Sequence, residues 1–367
     1  MRCTSTIAAG AAVFAALALG ACADSGGDPG KREAVAPQAQ RQAPAPATEL
    51  TVEVNGDLLI HSPIFNRARA LAGGRGYDFT PMLRQVRPYV AGADLAVCHV
   101  ETPMGPGPPS GYPLFNTPSA LARAIRATGW DACSTASNHS LDKGQAGIDA
   151  TRRALRRAGV RNTGAFSSPR QRSDILMLRA RGVKVAYLAY TTTTNGIPLP
   201  HHWSLNLARP ELILRDARRA RRAGAQVVLV NLHWGSEYRH QPDGLQQSLA
   251  RRLARSRDIT AIVGQHAHVV QPIRRVAGRW VVFGEGNLLS NQTSACCPAA
   301  SQDGMLVLLH LRVRGAKSAV KRVEYVPTWV RHPDYTVLPV GPALRSRSAD
   351  PQALRASWGR TVGVVGR

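Results

Sequence analysis

The chain has 367 residues of which 44% are hydrophobic, enough to build one large or two ordinary globular domains. Its formal net charge is +24, from 47 Lys+Arg against 23 Asp+Glu, and arginine clusters in the helix-like stretches Thr151–Arg157 and Arg215–Arg222, as solvated helix faces or as a surface for a polyanion. Only 5% of residues are aromatic and no stacking or finger pattern accompanies the charge, which sets nucleic acid aside as a partner.

Met1 and Arg2 precede an Ala-rich apolar core, Ile7–Ala21, of signal-peptide length and too short to span a bilayer. It ends in Leu19-Gly20-Ala21-Cys22, which resembles the lipobox of bacterial lipoproteins. That resemblance implies removal of residues 1–21 and acylation at Cys22. The product would be exported and lipid-anchored on the outer face of the cytoplasmic membrane. An ordinary secreted protein cut at an A-x-A-like site is the other reading. Residues 22–48 are rich in Gly, Pro, Ala and Gln and read as a flexible tether.

The folded domain is expected over residues 49–338. Leu50–Ile60 alternates as a strand and breaks at Asn55-Gly56-Asp57, which presents the Asp57 carboxylate at a sheet edge. Asp94–Val100 is a second strand, closely followed by Glu101. A helix over Asn116–Thr128 precedes a third strand, Trp130–Ser134, which runs into Asn138, His139 and Asp142. A helix from about Asp142 to Ala158 stops at Gly159. Val183–Tyr190 is a strand. The helix Glu211–Ala223 feeds the strand Gln226–Leu232, and His233 follows directly. The helix Leu245–Arg255 leads to the apolar run Ile259–Val263, then to His266 and His268. Trp280–Phe283 precedes a Gly-rich turn, Gly284–Asn287, and Met305–Val313 with Val320–Val326 closes the domain as a hairpin or edge pair. Residues 339–367 carry little periodic signal and receive no assignment. Alternation of strand and helix predicts a layered α/β domain.

Polar groups able to bind metal therefore recur at strand ends, where open α/β sheets place ligands. In an extended segment His266 and His268 point to the same side of the backbone. Oxygen and nitrogen donors without thiolates suit one or two ions of Mn, Fe or Zn. Cys98 and Cys133 lie in two strand-like runs and are read either as a disulfide or as buried thiols, and with Cys296 and Cys297 they show no zinc spacing. Trp234 and Tyr238 read as loop packing and Glu237 as a ligand-orienting group or a turn cap. His201 and His202, in a Pro-rich loop, are not assigned to the site, and Asn287 stands near the metals or in a simple turn.

The Gly-Asp at Asp57, HVETP around Glu101, SNHSLDKG over 137–144, HWGSEY at His233, GQHAHVVQP and FGEGN over 283–287 occur in the order seen in the CapA family of capsule, or poly-γ-glutamate, biosynthesis proteins, which the chain resembles from about Leu50 to Val330. That family is similar to the calcineurin-like metallophosphoesterases. The resemblance implies a four-layer α/β/β/α sandwich with metals at the strand ends. It implies that Asp57, Glu101 and His268 hold one ion, with Glu101 bridging, and that Asn138, His233 and His266 hold the other. His139 would be the acid and Asp142 its orienting partner, with water activated by metal attacking a phosphoester or a γ-glutamyl amide. The implied partner is an anionic envelope polymer such as poly-γ-glutamate. A non-catalytic accessory subunit of a membrane polymer synthase is the alternative. Three departures bear on the first ion: Leu59 replaces the histidine of Asp-x-His, His99 stands where asparagine is usual, and Gln265 stands where histidine or serine is usual. His61 reads as a surface histidine.

Overall fold

The computed structural model describes residues 46–366. The leader, Cys22 and most of the 22–48 tether lie outside the described residues.

One sheet contains β1 (Thr48–Leu58), β2 (Leu95–Val100), β3 (Ala132–Ser134) and β4 (Arg161–Thr163). The second is built from β5 (Leu176–Ala180), β6 (Val183–Thr191), β7 (Val227–His233), β8 (Ala261–Gln265), β9 (Ile273–Val276) and β10 (Arg279–Val282). β11 (Asn287–Leu289), β12 (Asp303–Arg314), β13 (Lys317–Arg331) and β14 (Thr336–Pro339) return to the first sheet. Its order is β14-β13-β12-β1-β2-β3-β4, with β11 pairing with β1, and the second runs β5-β6-β7-β8-β10-β9.

Three apolar layers hold the sheets and helices together. Between the sheets, Val52, Val54 and Val97 of one pack with Val185, Val227 and Val263 of the other. Outside the first sheet, Ile64 and Leu121, from the helices Ser62–Leu71 and Ala120–Thr128, cover Val100 and Cys98. Outside the second, the helices Pro210–Arg222 and Gly244–Ala254 bury Ile213, Ala217 and Leu253 against Val228, Val230 and Ile262. Inward and outward residues alternate along each strand, so both faces of each sheet are apolar and need a cover. The result is the four-layer α/β/β/α sandwich.

Several boundaries differ from the sequence reading. The Asn116–Thr128 helix begins only at Ala120, because Pro118 is a poor continuation from residues 116–117 and Asn116 is tied into a loop, its side chain bonded to Gly105 N and to the Pro106 and Pro108 carbonyls. The β12–β13 hairpin is not an edge pair, since β12 lies beside β1 and β14 follows β13. Beyond residue 338 the chain forms helices Val340–Ser346 and Pro351–Val365, capped by Asp350 and anchored through Arg360 on buried Asp303. Cys98 and Cys133 sit opposite one another in the β2–β3 register and form a disulfide.

Candidate metal centre

The strands of both sheets bring their C-terminal ends to one place. Parallel pairing of β1 with β2 sets Asp57 opposite His99, and pairing of β7 with β8 sets His233 opposite Gln265. Close backbone approach is what the glycines permit here. A Cβ on Gly56 would lie 2.1 Å from the Gly286 carbonyl oxygen, and one on Gly264 would lie 2.3 Å from the Phe283 carbonyl oxygen. These contacts draw the β1 end, the β8 end and the 284–287 turn together.

The chain leaves β8 at Gln265, so the histidine pair is not extended. His266 has φ 91° and His268 φ 54°, a left-handed conformation costly for residues with a Cβ and concentrated at functional sites. The period-2 argument for their direction therefore fails. The rings are brought near each other by the bend instead, with centroids 5.9 Å apart and planes at 61°.

Asp57, Glu101 and His268 each offer a donor atom within 4.8 Å of the others, and so do Glu101, His233 and His266, so Glu101 is common to both sets. His268 Nδ1 lies 3.1 Å from Asp57 Oδ2 and 3.0 Å from Asn287 Oδ1, and its Nε2 is 3.6 Å from Glu101 Oε1. His233 Nε2–H donates to Asn138 Oδ1 at 2.8 Å and lies 3.8 Å from Glu101 Oε1. A third set is Asp57, His99 and His233, with His99 Nε2 3.5 Å from Asp57 Oδ1. Exposed Glu237 joins His266 and His268 in a fourth.

His99 is thus the residue that sequence reasoning left out of the site. Its Nδ1 is held by Ser134 Oγ of the neighbouring strand, which aims Nε2 at Asp57. The signal available was its place two residues before Glu101. Asn287 also enters, through His268. Gln265 turns away, donating to Glu285 Oε2 at 2.6 Å and accepting from Asn231. His61 Nδ1 lies within hydrogen-bond reach of Leu59 O and of Asn291 N, and His61 belongs to none of the donor sets among the described residues. Trp234 is buried against Phe283, and His201 stacks on Trp203.

His139 stands beside the cluster. Its Nδ1–H donates to Asp142 Oδ2 at 2.8 Å, the same oxygen accepts the Phe115 N–H, and the Phe115 ring meets the imidazole edge-on at 4.7 Å. Asp142 thereby fixes the tautomer and leaves Nε2 free of that bond.

Electrostatics divides the histidines. Burial, reinforced by neighbouring imidazoles, lowers His233 well below its ordinary value and His266 to about 3, and burial lowers His99 to about 4. Burial alone would lower His268 too, but the Glu101 and Asp57 carboxylates overrule it and raise it to about 10. Glu101 is pushed well above the usual carboxylate range by burial first and by Asp57 second.

The donor set fits a cation. Among the described residues, Asp57 Oδ1, both Glu101 carboxylate oxygens, His99 Nε2, His233 Nδ1 and His266 Nδ1 are buried without a hydrogen-bond partner. Unpaired polar atoms in an interior cost free energy unless something satisfies them, and convergent lone pairs from oxygen and nitrogen are satisfied by a divalent ion.

Known proteins resemble the chain in sequence and in fold. The profile of a family described as "Bacterial capsule synthesis protein PGA_cap" matches residues 51–292, about two thirds of the chain. A capsule biosynthesis protein CapA of Bacillus anthracis is 26% identical over 299 residues, covering 78% of this chain and 68% of that protein. A PGA biosynthesis protein CapA of Bacillus subtilis is 28% identical over 216 residues, covering 58% of this chain and 54% of that protein. A probable polyglutamine synthesis accessory protein of Mycobacterium tuberculosis is 26% identical over 175 residues, covering 43% of this chain and 45% of that protein. The chain thus spans about half the length of the latter two relatives. Among solved structures, the calcineurin-like phosphoesterase YfkN of Bacillus subtilis superposes with a TM-score of 0.51 at 13% identity, over 85% of this chain and all of that one, a likeness of fold.

Proposed function

The chain belongs to the bacterial capsule synthesis protein family PGA_cap, on the calcineurin-like phosphoesterase fold, and from that premise we propose that it is a divalent-metal-dependent hydrolase of an anionic envelope polymer such as poly-γ-glutamate, cleaving a phosphoester or a γ-glutamyl amide. The observation that carries this reading is the set of buried, unpartnered donors gathered around Glu101.

Asp57, Glu101 and His268, completed by His99, would hold one ion. Asn138, His233 and His266 would hold the other, with Glu101 between them. Bound there, a divalent ion such as Mn, Fe or Zn supplies Lewis acidity and acidifies water. Asn287 and Asp57 orient the His268 ring. As an acid His139 would act in its imidazolium form, with Nδ1–H held by Asp142 and the Nε2 proton given to the leaving group. Phe115 covers one side of that pair and limits its access to water. In this reading the chain is exported and lipid-anchored through Cys22 at the outer face of the cytoplasmic membrane. The printed name of the Mycobacterium relative supports a second reading, a non-catalytic accessory subunit of a membrane polymer synthase.

One comparison tests both. The purified protein is assayed for bound metal and for cleavage of phosphoesters and poly-γ-glutamate, beside His139→Ala and His233→Ala. Hydrolysis lost in both variants, with metal lost only in His233→Ala, supports the hydrolase. Metal without any hydrolysis favours the accessory subunit, and neither metal nor a difference among the proteins overturns the hydrolase. Retention of Cys22→Ala in the membrane fraction would overturn the anchor.

A further inference from the structure

The open edge of the sandwich, where β4 of one sheet approaches β5 of the other, carries a feature that the metal centre does not use. Three cavities adjoin there. The first, about 570 Å³, is lined by Arg153, Arg156 and Arg161 and shares Asp174 and Ile175 with a second of about 600 Å³, lined by Arg179, Lys184 and Arg222. The second shares Ser173 and Arg219 with a third of about 350 Å³, lined by Arg209, Arg215 and His202. Shared walls make these one elongated trough.

Its charge is largely uncompensated. Arg172, Arg215 and Arg219 all crowd onto the single buried carboxylate of Asp216. Among the described residues no carboxylate lies within ion-pair distance of Arg153, Arg156, Arg179, Lys184, Arg209 or Arg222, and these side chains are exposed except half-buried Lys184. Inside the first cavity Arg152 is held by Asn162 Oδ1 and the Ala165 carbonyl, and burial lowers its pKa to about 10 against the opposing pull of Asp149, which also lines that cavity. Protection of sheet edges accounts for Arg161 on β4 and Arg179 on β5, but not for cations on the two flanking helices.

On these grounds we propose that the trough is a binding track for an extended polycarboxylate chain, leading toward the metal centre. The choice of a polymer of glutamate rests on the functional reading above; the track itself rests on the cavities and their charge. Arginine forks pair with carboxylates in two-pronged fashion, and an elongated run of them suits a repeating anion better than a single small one. The aromatic rings of the trough are already covered, Phe166 by Arg152 and Arg172 with guanidinium carbons 5.6 Å from its centroid, and Trp203 by His201, so bases would find no stacking platform. Two links reach the site. Arg152 also lines a small void shared with Glu101, and the loop carrying His202 and Trp203 carries Asn195, whose Oδ1 accepts from Asn138 Nδ2 at 3.3 Å.

The test is binding of fluorescently labelled poly-γ-glutamate to the full purified chain by anisotropy, across a salt series. Arg153→Glu/Arg156→Glu/Arg179→Glu is compared with a control of equal charge change at exposed residues that do not line the trough, Arg67→Glu/Arg84→Glu/Arg123→Glu. Thermal melts and metal content confirm that both variants are folded. The track predicts that the first triple variant weakens binding by about tenfold or more while the control stays within about twofold. Binding is expected to weaken with salt. Equal loss in both triple variants would overturn the track in favour of bulk charge. Unchanged binding in the first triple variant would overturn the track. Absence of polymer binding overturns the track, with capture by phosphatidylglycerol vesicles then assigning the surface to a membrane. Failure of hydrolysis with the predicted binding intact would overturn the hydrolase and leave the track standing.

Discussion

The two halves of the metal centre neutralise charge in different ways. Around Asp57 and Glu101, the carboxylates keep a proton on His268, which acts as the resident cation of that half. Around His233 and His266, burial keeps the imidazoles neutral, each with its Nδ1 unpaired among the described residues. The difference teaches that, to hold metal, the first half would have to release a proton while the second would not.

Glu101 joins the halves, so Glu101→Ala breaks the comparison most completely: bound metal and hydrolysis both fall to background, read by elemental analysis and by substrate cleavage. A variant that keeps one ion would show that the halves stand alone. His139→Ala leaves the metal content intact and lowers turnover by about 10²–10⁴-fold, measured under saturating substrate. Equal turnover would remove His139 from the chemistry. His99→Asn sharpens the distinction, weakening only the ion of the carboxylate half by roughly 10–100-fold in competition with a chelator.

The smallest effect is on pH-dependent stability of metal-free protein, followed by chemical denaturation. His268, raised from 6.5 to about 10, stabilises the fold fully below pH 6.5 and loses that contribution as pH climbs toward 10. His99 and His266, lowered to about 4 and about 3, act oppositely, their contribution present above pH 6.5 and lost as pH falls toward those values. For these groups stability is therefore greatest near pH 6.5. As a metal ligand His268 would be held unprotonated, and the alkaline decline would disappear. An unchanged alkaline limb after metal loading would mean that His268 is not a ligand.

Much of this arrangement was legible in the sequence because apolar, β-type runs end abruptly in Asp57, Glu101, His233 and the 264–272 stretch, and strand ends of parallel sheets converge. What could not be read depends on register or on bends. His99 earns its place through pairing with Asp57 and support from Ser134, neither near it in sequence. The left-handed bends at His266 and His268 overrode strand periodicity, and Gln265 was recruited into the bonds with Asn231 and Glu285. The helix Pro351–Val365 has no well-segregated apolar stripe and is held largely through Leu354 and the Arg360–Asp303 pair. The arginine trough arises only where β4 and β5 meet, so sequence alone leaves its helices open between solvated faces and a surface for a polyanion.

The most direct measurement is the divalent-metal content of the purified chain, wild type against Asp57→Asn/His233→Ala, after dialysis against trace Mn, Fe and Zn. One or two ions per wild-type chain and none in the variant is the predicted result. An empty wild type, or equal metal in both proteins, would contradict the assignment of the cluster around Glu101 as a metal centre.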